Sequence, residues 1–373
     1  MGQKRGNGEG SIGQYKGRWV ARLALADGRR KAVYGATRAE VAQKLAAAIR
    51  DRDAGLPSPN ERTVLGDYLT VWLDRSVKPR NRPSTYQSYE GHVRLHLVPA
   101  LGTVRLAQLT PQDVEKFMAD KMDEGLTAST VTRIRATLRR ALALALKQGL
   151  VYRNVAALAD PPRVQAQQFE PLTIEQARAF LIAVRGHQFE ALFVTALVTG
   201  LRRGELLGLQ WSDIDLHSER LIVRHALQNV GGVPTLVDLK TPRSRRTIPL
   251  PPVAMAQLRA KKLQQDEARS RHGQPWNPMG LVFTTSRGTP LDGANASRAF
   301  QLVLRRAGLP RIRFHDLRHT CASLLLAQGT NMRVIMEQLG HSQISLTMNT
   351  YSHVMPEALQ DAAERMEAVL TGE

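Results

Sequence analysis

The sequence predicts a multidomain fold: a small α+β domain with a three-stranded sheet and a helix, an all-α domain, and a mainly α domain with a small antiparallel sheet. Apolar residues alternate at period two near the N-terminus, which is typical of strands, and recur at helical spacing further along the chain. Two stretches, residues 56–60 and 159–168, have the Pro- and Gln-rich composition of linkers. We therefore place the domains at residues 1–56, 61–160 and 170–373.

The first domain is expected to hold three short strands followed by one helix. Strands are predicted around Ser11-Ile12, at residues 17–25 and at residues 31–35. Thr37 would cap a helix from Arg38 to about Arg52. Basic and aromatic side chains are interleaved on the second strand, which favours a DNA-binding sheet face over a solubilising appendage. The residues of this face are Arg18, Trp19 and Arg22.

The second domain is predicted to be helical throughout. Helices are expected from Thr63, from Pro83, from Pro111 after a Thr110 cap, and from a cap at Ser129. The last of these carries a row of cations, which is either a solvated face or a phosphate contact. These cations are Arg133, Arg135, Arg139, Arg140 and Lys147, and Arg133 and Arg139 are our candidates for DNA binding.

The third domain is expected to begin with a capping box at residues 173–176 and to continue with an apolar helix from Phe189 to Thr199 that ends at Gly200. Three short strands are predicted after it, and then a series of helices. The strands are expected at residues 221–223, 235–239 and 247–250, and the helices at about 252–270, 294–307, 315–328, 331–339 and 356–369.

Charge and composition restrict the partners. The chain has 373 residues, a formal net charge of +19 and a pI of about 10.7, which favours nucleic acid or an acidic membrane surface. No apolar run approaches the roughly 20 residues of a membrane span, and the N-terminus lacks the pattern of a secretory signal. Cys321 is the only cysteine, so a reducing cytoplasm fits, and its apolar helix face predicts core packing.

One constellation predicts chemistry. Residues 313–320, 339–341 and 350–353, together with residues 199–205, bring Arg and His side chains near one phenol, that of Tyr351. The planar fork of Arg suits the oxygens of a phosphate, and a tyrosine can attack phosphorus. These segments therefore predict phosphoryl transfer to tyrosine on a nucleic acid.

Several residues in these segments leave alternatives open. His315 and His319 resemble a zinc-binding H-E-x-x-H helix, but Arg318 shares the face of His315 and no acidic third ligand follows, so we expect no metal. His319 is more simply a hydrogen-bonded structural residue. Arg202 alone would be an ordinary surface cation. Lys240 is expected at a strand end, on a turn that could reach into a groove. Arg243, Arg245 and Arg246 are expected to clamp a DNA backbone.

The third domain resembles the catalytic domain of the tyrosine recombinases, the phage-integrase family. The second resembles that family's helical core-binding (SAM-like) domain, and the first resembles the arm-type DNA-binding domain of mobile-element integrases. The matching catalytic segments are residues 199–202, 205–207, 211–215, 240–241, 315–319, 339–342 and 347–353.

The resemblance implies a role for each motif residue. Tyr351 would attack the scissile phosphate and form a 3′-phosphotyrosine, and His315 would assist its proton transfer. Arg202 and Arg318 would hold the non-bridging oxygens. Lys240 would protonate the leaving 5′-hydroxyl, and His341 would donate a hydrogen bond to the phosphate. The covalent link stores the energy of the phosphodiester, so neither ATP, a metal nor another cofactor is expected.

The resemblance also implies an integrase that inserts and excises a mobile element such as a prophage. Its partner would be double-stranded DNA at core and arm attachment sites, bound by a homotetramer that is a monomer when free, with accessory DNA-bending or directionality proteins and no membrane. The helix at 356–369 would pack between protomers or on its own domain. The location would be cytoplasmic, and nucleoid-associated on DNA. The alternatives are a chromosome-dimer resolvase, against which residues 1–56 argue, and a catalytically inactive DNA-binding regulator, against which the complete polar set argues.

Overall fold

The computed structural model describes residues 10–24, 30–53, 63–164, 170–239, 244–272 and 276–340. The chain divides into two compact units, Met1–Ala166 and Gln167–Glu373, each described separately below. Four of the predicted site residues and one predicted helix lie outside the described residues. They are Lys240, Arg243, His341, Tyr351 and the helix at 356–369.

A three-stranded antiparallel sheet opens the first unit, in the order β1 (Ser11–Tyr15), β2 (Arg18–Ala24) and β3 (Arg30–Gly35). Helix α1 (Arg38–Asp53) packs on one face of this sheet, and the sheet and helix share a small apolar core. The expected cap is confirmed: Thr37 Oγ1 accepts a hydrogen bond from the Glu40 amide at 3.2 Å, and Glu40 accepts one from the Ala36 amide at 2.9 Å. The core residues are Ala21, Leu23, Val41 and Leu45, with Trp19 packed against them.

The position of Trp19 corrects the expected sheet face. Successive side chains on a strand point to opposite faces, so Trp19 shares the face of Ala21 and Leu23, under α1. Arg18 and Arg22 are exposed on the other face. The predicted set Arg18, Trp19 and Arg22 is therefore split between the two faces.

The rest of the first unit is helical, as predicted. Helices α2 and α3 each continue into a five-residue π-helical turn, at Leu73–Val77 and Val93–Leu97. The helices are α2 (Leu65–Trp72), α3 (Pro83–His92), α4 (Val98–Leu101), α5 (Pro111–Asp123), α6 (Ala128–Lys147) and α7 (Val155–Leu158).

Two expectations about α6 were wrong. Thr127, not Ser129, is its cap, because Thr127 Oγ1 accepts from the Thr130 amide at 3.3 Å. Arg135 does not project into solvent: it is 8% exposed, and its Nη2 donates to the Ala159 carbonyl. That guanidinium stabilises the chain that follows α7, whereas Arg133 and Arg139 are exposed.

The second unit surrounds one large apolar core with seven helices among the described residues. Four phenylalanine rings meet at its centre with centroids 5.6 to 6.2 Å apart. The helices are α8 (Ile174–Ala183), α9 (Glu190–Thr199), α10 (Arg203–Leu207), α11 (Pro252–His272), α12 (Gly293–Arg306), α13 (Asp316–Ala327) and α14 (Met332–Leu339). The rings are those of Phe180, Phe193, Phe300 and Phe314, and the last directly precedes the His315 motif.

The described strands of the second unit form two small sheets, where the sequence predicted three strands in one. Strands β4 (Ile214–Asp215), β5 (Arg220–Val223) and β8 (Arg246–Pro249) form an antiparallel sheet in that order. Strands β6 (His225–Val230) and β7 (Val233–Asp238) form a separate hairpin. β6 was missed because most of its residues are only half-buried, so its sequence lacks a clear alternation of apolar and polar residues.

Left-handed glycines end two of the helices that carry motif residues. Gly200 ends α9 with φ at 63°, and Gly340 ends α14 with φ at 68°. A Cβ on Gly200 would lie 2.5 Å from Leu339 Cδ2 and 3.3 Å from Cys321 Sγ. Only glycine therefore allows α9 to end this close to α13 and α14.

The Gly200→Ala variant should lower the free energy of unfolding of the second unit by about 2–4 kcal/mol, because strain at positive φ and overpacking add. Gly231→Ala is the matched control: its φ is also positive, at 60°, but its Cβ would meet no atom within 4 Å. The control variant should lower the free energy of unfolding by about 1 kcal/mol. Urea unfolding measures both, and equal losses would contradict the close packing at Gly200.

Candidate active site

Arg202 lies at the junction between α9 and α10. Its backbone is extended just before the first turn of α10, and its side chain is 41% exposed. Nη1 donates to Glu205 Oε1 at 2.7 Å, and Nη2 donates to the Gly340 carbonyl at 3.3 Å. The guanidinium is thus held at two points while part of it faces solvent.

Glu205 joins two arginines inside the domain. This carboxylate is 3% exposed and accepts from Arg202, from the Arg202 amide at 3.1 Å, and from Arg246 Nη2 at 2.8 Å. Burial by itself raises the pKa of Glu205, but the charge and hydrogen bonds of Arg246 and Arg202 outweigh it and lower that pKa. Glu205 is therefore ionised and fixes the orientation of Arg202.

The sequence predicted that Arg246 lies on a DNA-facing surface, but its side chain lies inside the domain. Its side chain is 6% exposed, and besides Glu205 it binds the Gln338 carbonyl through Nε at 2.6 Å. A buried guanidinium engaged with a carboxylate and a helix-end carbonyl stabilises the domain and does not clamp a DNA backbone. Arg245, in contrast, is exposed.

Arg318 connects the ends of α9 and α14. Its Nη1 donates to the Gly200 carbonyl at 2.9 Å, and its Nη2 donates to the Leu339 carbonyl at 2.7 Å. The residue is only 2% exposed. These bonds hold the Gly200 carbonyl after α9 and the Leu339 carbonyl at the end of α14 on one guanidinium.

His315 and His319 lie on the first turns of α13. Their rings are 5.6 Å apart and nearly perpendicular, at 87°. Partial burial, His319, Arg318 and Arg202 together lower the pKa of His315 to about 4, against the weak opposing effect of Asp316. Burial, Arg318 and Arg313 lower the pKa of His319 as well. Although His315 has exposed surface, it is neutral at physiological pH and can accept a proton.

The structure thus brings Arg202, Arg318 and His315 together, and it leaves Arg18, Arg22, Arg133 and Arg139 exposed on the first unit. Cys321 is buried as expected, and burial raises the pKa of its thiol to about 12, which rules it out as a nucleophile. Sequence reasoning missed the positioning role of Glu205 and Arg246. Glu205 had a local signal, since it is the third residue of α10 and its carboxylate accepts from the Arg202 amide. Arg246 had none.

No group of three or more His, Cys, Asp or Glu side chains in the described ranges is placed to hold a metal ion. Within the same part of the chain, no helix combines the length and the apolar character that crossing a membrane requires.

Comparisons with known proteins agree with this geometry. The family model described as "Phage integrase family" matches residues 171–358, and that described as "Phage integrase, N-terminal SAM-like domain" matches residues 64–122. The chain is 29% identical to a "Tyrosine recombinase XerC-like" protein of Caldanaerobacter subterraneus subsp. tengcongensis, over 90% of this chain and 91% of that protein. It is also 29% identical to an integrase of Streptomyces ambofaciens, over 99% and 98% of the two chains.

Solved structures share the fold. The integrase of the Tn1549 transposon in complex with a circular intermediate DNA superposes with a TM-score of 0.71 at 21% identity, over 82% of this chain and 99% of that one. A lambda integrase tetramer bound to a Holliday junction superposes with a TM-score of 0.57 at 19% identity, over 90% and 92%.

The fold and the arginine-histidine site define a tyrosine recombinase. The catalytic family model covers half of the chain, and the chain belongs to the phage integrase family. It is an enzyme that cleaves and rejoins DNA, an integrase of the kind carried by mobile elements. The expected multidomain tyrosine recombinase fold is confirmed.

Glu205→Gln should lower the free energy of unfolding of the second unit by about 3 kcal/mol, because it leaves buried Arg246 without its ionised partner. DNA cleavage should slow by about 100-fold as Arg202 loses its orientation. Glu219→Gln, which breaks the exposed pair with Arg259, is the control and should cost less than about 1 kcal/mol. Urea unfolding and single-turnover cleavage measure these effects, and similar results for the two variants would contradict the role of Glu205.

His315 should stay neutral as the pH falls from 8 to 5.5. Its pKa of about 4 lies well below the value of about 6.5 that the unfolded chain should show. The folded state resists protonation, so the stability contributed by this group is present above pH 6.5 and declines as the pH falls towards 4. NMR titration of the ring protons, assigned by comparison with His315→Gln, measures the pKa, and a midpoint between 6 and 7 would contradict the described environment.

Proposed function

We propose that Tyr351 is the nucleophile that attacks the scissile phosphate and forms the 3′-phosphotyrosine. A tyrosine recombinase needs one catalytic tyrosine, and Tyr351 is the only tyrosine in residues 170–373. The other six lie in residues 1–160. The single observation that carries the proposal is that a lone phenol follows, by eleven residues, the glycine to which Arg202 is hydrogen-bonded.

Arg202 and Arg318 hold the non-bridging oxygens of that phosphate. These two cations, held near the glycines that end α9 and α14, provide the positive charge that the transition state needs. Losing one such donor raises the activation free energy by about 3–4 kcal/mol. His315, which lies beside them and lines the neighbouring cleft, assists the transfer of the phenol proton of Tyr351. Because Arg318 is 2% exposed without DNA, its contact with the phosphate requires the site to open when DNA binds.

Lys240 protonates the leaving 5′-oxygen, and His341 donates to the phosphate. Residues 170–373 contain three lysines, and the other two, Lys261 and Lys262, lie along α11. Lys262 is already engaged with Asp266 at 2.7 Å. This distribution supports Lys240, which lies between β7 and β8 in the sequence, as the proton donor. His341 directly follows Gly340, whose carbonyl accepts from Arg202.

The three domains divide the work of DNA binding. We assign residues 170–373 to catalysis, residues 61–160 to the core site, and residues 1–56 to a separate arm site. The exposed side chains of Arg18 and Arg22 lie opposite Tyr15 and Ser11 of β1 on the open sheet face, and Arg133 and Arg139 are exposed on α6. Exposed cations of this kind supply salt-dependent affinity for phosphate. Arg243 and Arg245 follow Lys240 by three and five residues in the sequence, and we assign them to contacts with the DNA backbone.

The active assembly is a homotetramer on two DNA sites, with the free chain monomeric. The lambda integrase tetramer on a Holliday junction supports this assembly, and the helix predicted at 356–369 would pack between protomers. Accessory DNA-bending or directionality proteins would select integration or excision. The site of action is the cytoplasm, at the nucleoid.

Integration and excision of a mobile element fit better than chromosome-dimer resolution. The relative named as XerC-like favours the resolvase to a limited extent. The sheet-and-helix domain at the start of this chain, with its exposed Arg18 and Arg22, favours the integrase, since a resolvase has no arm site to bind.

Tyr351→Phe should abolish the covalent protein–DNA adduct while leaving duplex affinity within about twofold, because only the attacking oxygen is lost. The substrates are nicked duplexes covering the DNA that flanks the gene, and the adduct is detected by denaturing electrophoresis. Tyr152→Phe, at an exposed tyrosine outside residues 170–373, is the control and should form adduct at the wild-type rate. An adduct with Tyr351→Phe would contradict the assignment.

A further inference from the structure

A cleft of about 550 Å³ opens beside His315. It is lined by the start of α10, by α12 and by the segment that enters α13, including Arg203, Ser297, Gln301 and Arg313. None of the described residues that line it is acidic. Its volume falls within the roughly 300–1,000 Å³ typical of ligand sites, so it can hold part of a nucleotide.

Arg203 is held in this cleft by neutral groups. Its Nη1 donates to Ser297 Oγ at 3.2 Å and to the Gly293 carbonyl at 3.5 Å. These bonds to oxygens on and at the start of α12 position the guanidinium without neutralising its charge. An exposed arginine positioned in this way is a good ligand for an anion, because its planar fork can form two parallel hydrogen bonds.

Arg313 is held more firmly, by a buried carboxylate. Its Nη2 lies 3.0 Å from Asp316 Oδ1 and its Nε lies 3.1 Å from Asp316 Oδ2, and Asp316 also accepts from the Arg313 amide at 2.7 Å. Asp316 is 3% exposed, whereas the Arg313 side chain is 72% exposed. The fork is therefore fixed on its inner side and presents its outer side to solvent.

His315 connects the cleft with the phosphate site. It lines the cleft, and it also lies close enough to Arg318 and Arg202 for their charges to disfavour its protonation. Each strand of duplex DNA advances about 3.4 Å along the axis per nucleotide. Arg203, which lines the cleft, directly follows Arg202 in the chain, so a strand whose scissile phosphate lies at Arg202 passes a neighbouring phosphate near this cleft.

We propose that the cleft binds the sugar-phosphate backbone of the nucleotide next to the scissile phosphate, with Arg203 and Arg313 as the phosphate ligands. The inference rests on the proposed function, since it takes the scissile phosphate to lie at Arg202 and Arg318. A phosphate fits two prepositioned arginines in a cleft without acidic lining. These contacts set the register of the strand and take no part in bond breaking.

The test measures duplex affinity between 50 and 300 mM NaCl, on a flanking duplex that the wild-type protein cleaves. Arg203→Gln should reduce the slope of log K against log salt by about 0.9 and weaken binding about fivefold at 0.15 M salt, as expected for one lost phosphate contact. Arg298→Gln is the matched control. Like Arg203, Arg298 is an exposed arginine, but it lies on α12 and does not line the cleft. The control should keep the wild-type slope. Arg203→Lys, which keeps the charge and loses the fork, should fall between the two.

A neutral methylphosphonate at single positions then locates the contact. At the phosphate next to the scissile one, it should weaken wild-type binding by more than the roughly fivefold of one contact, and weaken Arg203→Gln by a smaller factor, because that variant has only the Arg313 contact left to lose. The inference would be overturned if the methylphosphonate weakened binding equally in the wild-type protein and in Arg203→Gln. It would also be overturned if Arg203→Gln kept the wild-type salt slope and lost affinity by an amount that depends on the base pair, because that result indicates a base contact. Failure of wild-type protein to form an adduct on any flanking duplex would instead refute the proposed function, and the cleft assignment with it.

Discussion

The guanidinium of Arg318, bonded to the last carbonyls of two helices, is the interaction on which the site depends. One bond reaches Gly200 at the end of α9, and the other reaches Leu339 at the end of α14. Each helix ends at a glycine with positive φ, so the backbone changes direction sharply after each helix, next to Arg318. Arg202 and His341 follow these two glycines in the sequence. One buried arginine thus braces the ends of both helices.

Two buried charged residues, Glu205 and Arg246, determine the orientation of Arg202. Glu205 is buried between Arg202 and Arg246, and Arg246 reaches on to the Gln338 carbonyl one residue before Leu339. The carboxylate offsets two cations, which lowers the cost of keeping Arg202 beside Arg318 before DNA binds. Partial burial, together with the positive charges around it, lowers the pKa of His315 and keeps it neutral. The described site therefore combines two fixed guanidinium groups with a neutral imidazole.

The sequence predicted those parts of the fold that local chemistry determines. Capping boxes at Thr110 and Thr173 and the glycine at residue 200 marked helix ends correctly, because a cap depends on neighbours within four residues. The face of Trp19 and the burial of Arg135 and Arg246 depend on contacts with distant elements. Charge alone does not distinguish a buried brace from a DNA contact, so those residues could be assigned only from the structure.

A crystal structure of the protein trapped covalently on a cleaved duplex is the measurement that tests the account most directly. The account predicts a 3′-phosphate bonded to Tyr351 Oη, with its non-bridging oxygens within about 3 Å of guanidinium nitrogens of Arg202 and Arg318. Arg318 should be more exposed to the DNA than the 2% it shows without it. A phosphate bonded to another residue, or one distant from both arginines, would contradict the account.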